Sequence, residues 1–361
     1  MAGIKPKRDI RKLTSDELES FFTKQGEKPF RARQVYEWLY KKSCISFDEM
    51  TNLSLVVRKL LHDHYVINSI KVHSEQISAD RTIKQVYKLH DGHLIEGVLI
   101  PSQTRMTACI SSQAGCALGC KFCATGYMGL RRSLEAAEIY DQVVFLNRLA
   151  MEKYGYPLSN IVLMGMGEPL LNYSNVMQAL EWISTEKGLS ISYKRITLST
   201  SGIVKMISRM ADEGVRVKLA VSLHACDDEK RNNLMPINES NNLEALKKSL
   251  INFHRKTGND ITLEYILLGG FNDTESDARN LIRFASHFPC KINLIEYNPI
   301  VQASYIRPKE NQLEQFMKVL EKRGLVVNLR RSRGKDIDAA CGQLATREKS
   351  AVNSKSVGSK Q

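Results

Sequence analysis

The chain has no apolar run approaching the roughly 18 residues that a membrane-spanning helix needs, and its first residues, Met1-Ala-Gly-Ile-Lys-Pro-Lys-Arg8, carry charge with no apolar stretch behind them. A secretory leader and a bilayer span are therefore not expected, and the chain reads as a soluble cytoplasmic protein without a membrane partner. No internal repeat is visible, and Gly165-x-Gly167 is too short to count as a dinucleotide-binding fingerprint. Acidic residues are in deficit: 39 Asp and Glu stand against 52 Lys and Arg, a formal charge of +13. A second Cys or His pair of the kind that closes a structural zinc site is also missing downstream of the one dense cysteine segment.

What is present begins with eight cysteines in 361 residues. In a reducing compartment they argue for metal or catalysis before structural disulfides. The excess positive charge lies at the two ends. Residues 1–42 hold eleven Lys/Arg against six Asp/Glu, and residues 330–361 hold eight against three, so each end is +5. This asymmetry fits a polyanion such as RNA, with a solvated basic surface as the plainer alternative.

Three cysteines lie in Gly115-Cys-Ala-Leu-Gly-Cys-Lys-Phe-Cys-Ala-Thr-Gly126. A loop delivering three thiolates, Cys116, Cys120 and Cys123, suits a [4Fe-4S] cluster, because four irons normally take four cysteines and a missing ligand leaves one iron open. Three buried apolar cysteines would be the bland account, but two glycines and a lysine interleaved in so short a loop fit it badly. The spacing, with Phe122 before the last cysteine, resembles that of the radical S-adenosylmethionine (SAM) superfamily. There the methionine part of SAM occupies the open iron, and the cofactor supplies the radical chemistry.

From about residue 104, β-rich apolar runs alternate with amphipathic helical stretches. The spacing predicts strands at 107–110, 160–164, 195–199, 218–222, 261–267 and 292–297, with helices between them. Repeated βα units imply a parallel sheet with right-handed crossovers, hence an α/β fold: a partial, open six-stranded β/α barrel. Polar and glycine-rich signatures follow every strand, from the cysteine loop through Gly165-Met-Gly-Glu-Pro169, Ser199-Thr-Ser-Gly202, Ser222-Leu-His224 and Leu268-Gly-Gly270 to Tyr297-Asn-Pro299. Strand C-termini build the active site in such barrels, so one shared pocket is expected. Residues 1–75 read as a small helical accessory domain in probable contact with RNA. Within it Arg31 to Trp38 could present cations and aromatics, although Val35, Trp38 and Leu39 at helical spacing favour a core role. Residues 76–103 read as a β-hairpin connector turning at Asp91-Gly92 and carrying Glu96, 104–344 as the barrel with a C-terminal loop, and 345–361 as a disordered basic tail.

Two further cysteines stand out by position. Cys109 ends the first barrel strand, and Cys341 lies in a glycine-bracketed loop after Arg330-Arg-Ser-Arg333, where neighbouring cations favour a thiolate. Cys44, Cys226 and Cys290 read as ordinary buried cysteines.

The segments Thr107–Cys116, Met164–Leu170, Leu198–Gly202, Ser222–His224, Met235-Pro-Ile-Asn238, Tyr297–Pro299 and Asp336–Gln343, taken in order, resemble the RlmN family. These are dual-specificity adenosine carbon-2 methyltransferases of 23S rRNA and tRNA within the radical SAM superfamily. The resemblance spans roughly residues 15–344 and implies one [4Fe-4S] cluster on Cys116, Cys120 and Cys123. It further implies SAM contacts at Gly167, Glu168, Ser199, Ser222, Leu223, His224 and Asn298. Cys341 would be S-methylated by one SAM, while a second SAM, cleaved after reduction by a donor such as flavodoxin, would take a hydrogen from that methyl group. The methylene carbon would then join to adenine. Glu96 or Cys109 would remove the carbon-2 proton, and Cys109 would resolve the RNA–protein adduct as a disulfide with Cys341, to be reduced by external thiols. Direct displacement on a SAM methyl is implausible at carbon 2, which carries no nucleophilic lone pair. The target base would be unpaired or extruded, and the enzyme is expected to act as a monomer. The rivals are the sister Cfr family, acting at adenine carbon 8, a non-catalytic iron–sulfur RNA-binding protein, and a radical SAM enzyme for a small molecule.

Overall fold

The computed structural model describes residues 7–345. The expected disordered basic tail lies, apart from Ala345, outside the described residues. At the N-terminal end, helices Ser15–Lys24, Phe30–Tyr36 and Leu55–His64 pack together, closed by a short parallel pair of β1 (Arg8–Asp9) and β2 (Tyr65–Val66). Thr14 caps the first helix with a capping box to Glu17. Val35 and Leu39 are buried. Trp38 is half-buried with Lys42 over its ring, which bears out packing as the main work of that stretch.

Three antiparallel strands follow: β3 (Lys71–Ile77), β4 (Ile83–Lys88) and β5 (Leu94–Pro101). The hairpin at Asp91-Gly92 is the turn between β4 and β5. β3 crosses the expected boundary at residue 75; it is an exposed edge strand, KVHSEQI, whose polarity hides it from a hydrophobicity pattern. β5 pairs antiparallel with β6 (Met106–Cys109), the first strand of the barrel.

After β6, the cysteine segment opens with a small hairpin of β7 (Gln113–Cys116) and β8 (Gly129–Ser133). The parallel strands then run β9 (Asn160–Leu163), β10 (Ile196–Thr200), β11 (Lys218–Ser222), β12 (Ile261–Leu267), β13 (Cys290–Glu296) and β14 (Val326–Arg330). All belong to one ten-stranded sheet ordered β14-β13-β12-β11-β10-β9-β6-β5-β4-β3. The six expected parallel strands are present, and β14 adds a seventh. Its sequence VVNLR is half-exposed and polar in alternate positions, so it lacks the apolar run that marks a covered strand. β12, by contrast, is buried along all seven residues, as a parallel strand covered on both faces must be.

Helix Ala136–Tyr154 joins the two domains. Arg11, almost wholly buried, pairs with Asp9 at 3.2 Å and with Asp141 of that helix at 2.7 Å. The same carboxylates accept from the N–H groups of Asn68 and Ile70. Tyr40 stacks on Trp182 with ring centroids 4.3 Å apart. Among the described residues no helix is long and apolar enough to cross a membrane.

Candidate active site at the carboxyl ends of the strands

The loop bearing the three cysteines is fixed by tight backbone contacts. Gly115 has φ +81° and faces the carbonyl oxygen of Gly129 so closely that a Cβ would come within 1.9 Å of it, so only glycine closes this hairpin. The Lys121 N–H donates to the Leu234 carbonyl at 2.9 Å, and Phe122 meets the His224 ring edge-on at 4.6 Å. Cys116, Cys120 and Cys123 lie close enough for each thiolate to disfavour its neighbour, Cys120 facing both of the others. Burial is the larger cause and pushes Cys116 up to about 11, with Cys120 and Cys123 also raised. A pocket that disfavours free thiolates yet gathers three of them is stabilised by a cationic group among them. Among the described residues no three His, Cys, Asp or Glu side chains are arranged to hold a single metal ion. A three-thiol loop of this kind fits a cluster instead.

The sequence-predicted SAM contacts gather beside this loop. Gly167, at φ +97°, brings the turn after β9 against Gln113, where a Cβ would lie 2.5 Å from the Gln113 Cβ. Glu168 is buried: its N–H donates to Gln113 Oε1 at 2.9 Å, and its carboxylate accepts from the Ser201 N–H at 2.7 Å and the Leu170 N–H at 3.1 Å. Burial raises its pKa, and these bonds oppose the rise. Ser199 and Ser222 lie at the ends of β10 and β11, half-buried. Leu223 is fully buried. His224 adopts φ +57°, a conformation unusual outside glycine, held by its Nδ1 accepting from the Ile266 N–H at 3.0 Å and its carbonyl accepting from Asn272 Nδ2 at 2.7 Å. This bond places its proton on Nε2. Burial, reinforced by the Arg231 charge, lowers its pKa to about 3, so the ring is neutral. Asn298 is buried and donates to Ser332 and to the Cys341 carbonyl, while its Oδ1 has no partner. Ser112 Oγ is also buried without a partner. A buried polar atom left open marks space for a bound polar group.

Cys341 arrives on the loop after β14, which docks onto the cysteine loop. The Ala124 N–H donates to the Gly342 carbonyl at 2.7 Å, and Thr125 Oγ1 donates to the Leu344 carbonyl at 2.6 Å. On its other side the loop is strapped to the turn between β3 and β4. Gly334 N–H donates to Asp80 at 2.9 Å, Ser78 and Ala79 donate to Asp336, and Lys84 Nζ donates to the Asp338 carbonyl. Cys109 and Cys341 lie within electrostatic reach of each other. Burial, with Cys341 adding to it, pushes Cys109 up to about 12. Of the three arginines before the loop only Arg330 faces this pair; its guanidinium lies 3.6 Å from Glu264, and Cys341 is the strongest influence holding it charged. Glu96, two residues along β5 from the partner of Cys109, is buried and accepts from the Ala345 N–H at 3.2 Å, with Lys84 at 3.9 Å.

The thirteen sequence-predicted positions thus fall on β5, the cysteine loop, the Cys341 loop and the ends and following turns of β6, β9, β10, β11 and β13, but their supports were not all foreseen. Ser78, Asp80 and Lys84 were missed because the β3–β4 turn carries no chemistry of its own. Arg231 was missed although it stands four residues before Met235-Pro-Ile-Asn238, the segment that supplies its partner Asn238.

Comparison with known proteins gives a consistent answer. Residues 8–67 match the ribosomal RNA large subunit methyltransferase N-terminal domain, and residues 110–285 match the radical SAM superfamily. A probable dual-specificity RNA methyltransferase RlmN of Cytophaga hutchinsonii is 58% identical over 95% of this chain and 94% of its own length. Its counterpart in Flavobacterium johnsoniae is 49% identical over 95% and 98%. The crystal structure of a radical SAM methyltransferase from Sphaerobacter thermophilus superposes with a TM-score of 0.88 at 40% identity, over 93% of this chain and 99% of the other. With that identity carried over nearly its whole length, the chain belongs to the RlmN family of the radical SAM superfamily.

Proposed function

We propose that this protein methylates carbon 2 of an adenosine in 23S rRNA and in tRNA, with Cys341 carrying the carbon. The observation that supports this most directly is the meeting of Cys341, Cys109 and Glu96 against the cysteine loop, since a carrier, a resolving thiol and a base are what the reaction needs beyond a radical source. Cys116, Cys120 and Cys123 would hold one [4Fe-4S] cluster, and Gly167, Glu168, Ser199, Ser222, Leu223, His224 and Asn298 would hold SAM. Together these groups supply the methyl group and, on reduction by a donor such as flavodoxin, the radical that activates it, with two SAM consumed per turnover.

The chain's own residues do the rest. Cys341 Sγ takes the methyl carbon, and the Arg330 guanidinium faces it. Asn298, bonded to the Cys341 carbonyl, keeps the loop over the mouth. Once the carbon is joined to adenine, the Glu96 carboxylate accepts the carbon-2 proton, and the unpaired electron of the adduct, the one the donor supplied, would return to the cluster. Cys109, kept a thiol by burial, gives up its proton as it attacks Cys341 Sγ. A disulfide forms, the sulfur–carbon bond breaks, and its electron pair stays with the carbon on the base, which takes a proton to become methyl. External thiols return the disulfide to two thiols. The basic N-terminal domain would grip RNA around an extruded base, with the enzyme acting as a cytoplasmic monomer.

Cys109→Ala tests the scheme. RNA crosslinked to protein through Cys341 should accumulate, and free unmodified RNA with no crosslink would refute it. Mass-spectrometric location of the product methyl separates carbon 2 from the carbon-8 outcome of a Cfr-type enzyme.

A further inference from the structure

Arg231 lies on the short helix Asp228–Leu234 and is completely buried. Every one of its five N–H groups is committed. Nε donates to the Leu223 carbonyl at 3.1 Å, Nη1 to Asn238 Oδ1 at 2.6 Å and the Asn241 carbonyl at 3.4 Å, and Nη2 to the Ser201 carbonyl at 2.7 Å and the Ser222 carbonyl at 3.3 Å. None of these acceptors is a carboxylate. The guanidinium is thus a buried cation in hydrogen-bond contact only with dipoles, with the Asp228 carboxylate acting at longer range beyond Asn238, which it binds at 2.8 Å; this is an expensive arrangement where a neutral side chain could pack.

Its position gives the expense a use. The acceptors Ser201, Ser222 and Leu223 belong to the ends of β10 and β11 and the turns after them, which carry four of the seven candidate SAM contacts: Ser199, Ser222, Leu223 and His224. The fork of one planar group spans both turns, which a lysine's point charge cannot do. The same helix also touches the cysteine loop. Leu234 accepts the Lys121 N–H at 2.9 Å, and Leu234 and Met235 pack with Cys120 in one apolar cluster. Burial lowers the Arg231 pKa only to about 10, so the charge persists at neutral pH.

We propose that Arg231 is a positioning residue that clamps the two SAM-bearing turns with its fork and, through a charge that no carboxylate touches near Cys120, favours the reduced state of the cluster. This rests on the reading of the cysteine loop as a cluster site and of the strand ends as the SAM site. The charge acts through the low-dielectric wall between the helix and the loop, where the added electron is stabilised by a nearby cation.

Two substitutions divide the roles. Arg231→Lys keeps the charge and loses the fork; Arg231→Met loses both. Each protein, with cluster reconstituted, is examined by calorimetric titration with SAM and by EPR-monitored redox titration without RNA. Arg231→Lys should bind SAM at least about tenfold more weakly at an unchanged midpoint potential. Arg231→Met should bind SAM as weakly or more so and shift the midpoint to more negative values. A merely structural arginine would lower the melting temperature of both and leave SAM affinity and potential per loaded site as in the parent, which overturns the inference. If Arg231→Met does not fold, Arg231→Lys decides: undiminished SAM binding refutes the clamp, and a shifted potential refutes the charge. Parent protein that takes up no iron on Cys116, Cys120 and Cys123, or binds no SAM, refutes the underlying reading and the inference with it.

Discussion

Two buried arginines, one at the seam between the domains and one at the barrel mouth, show how differently this molecule treats the same side chain. Arg11 lies between Asp9 and Asp141; burial alone would weaken its hold on the proton, but the two carboxylates overcome that and raise its pKa. Arg231 meets only carbonyls and an amide, and burial wins. At the seam, charge is cancelled where it stands, and the result is a fastening. At the mouth no carboxylate touches it, and Asp228 acts only at longer range, beside the residues expected to bind an anionic cluster and the carboxylate-bearing SAM.

The sharpest way to separate mouth from seam is to remove the carbon carrier. Cys341→Ala should abolish methylation, a loss on the order of 10³-fold or more, with the melting temperature and iron content unchanged. Glu96→Gln comes next. Product formation measured in single turnover should fall by about 10²- to 10³-fold, and a variant retaining most activity would remove Glu96 from the role of base.

At the seam the expected effect is on stability instead. Arg11→Met leaves two buried carboxylates without their cation and should cost roughly 3 kcal/mol or more in denaturant unfolding. Folded molecules should still load iron and cleave SAM. Loss of those functions at unchanged stability would dissolve the distinction.

The smallest effect lies in the strap of the Cys341 loop. Asp80→Asn should reduce methylation by about three- to tenfold through a looser loop, with SAM affinity retained. Burial would raise the Asp80 pKa, but bonds from Thr82, the Gly334 N–H and Ser78 outweigh it and hold the group below its ordinary 3.8; Ser78 and the Ala79 N–H do the same for Asp336. For carboxyls depressed in this way, docking is complete above the ordinary value of 3.8 and is lost as pH falls through the lower folded value. Amide hydrogen exchange of the Cys341 loop, normalised to the intrinsic rate at each pH, should therefore rise only below about pH 4, and a rise near pH 6 would point to some other group.

The cysteine loop, the strand-end motifs and six of the seven parallel strands were legible because each rests on local pattern: thiol spacing, glycines after apolar runs, and the period of buried strands. β14 and β3 were not, since half-exposed strands with polar alternate residues lack that period. Cys109, Cys341 and Glu96 could be nominated from their context and from family resemblance. Their convergence could not be read, because it depends on pairing β5 with β6 and on a loop more than two hundred residues away folding back over the mouth.

By itself the sequence determined the alternation of elements, the three-thiol loop and membership of a chemical class, because those follow from neighbours along the chain. Only the tertiary structure decided which turn straps the Cys341 loop and which arginine is buried with no carboxylate in contact. Hydrogen bonds between segments and the dielectric around a charge are properties of packing, and no local pattern specifies them.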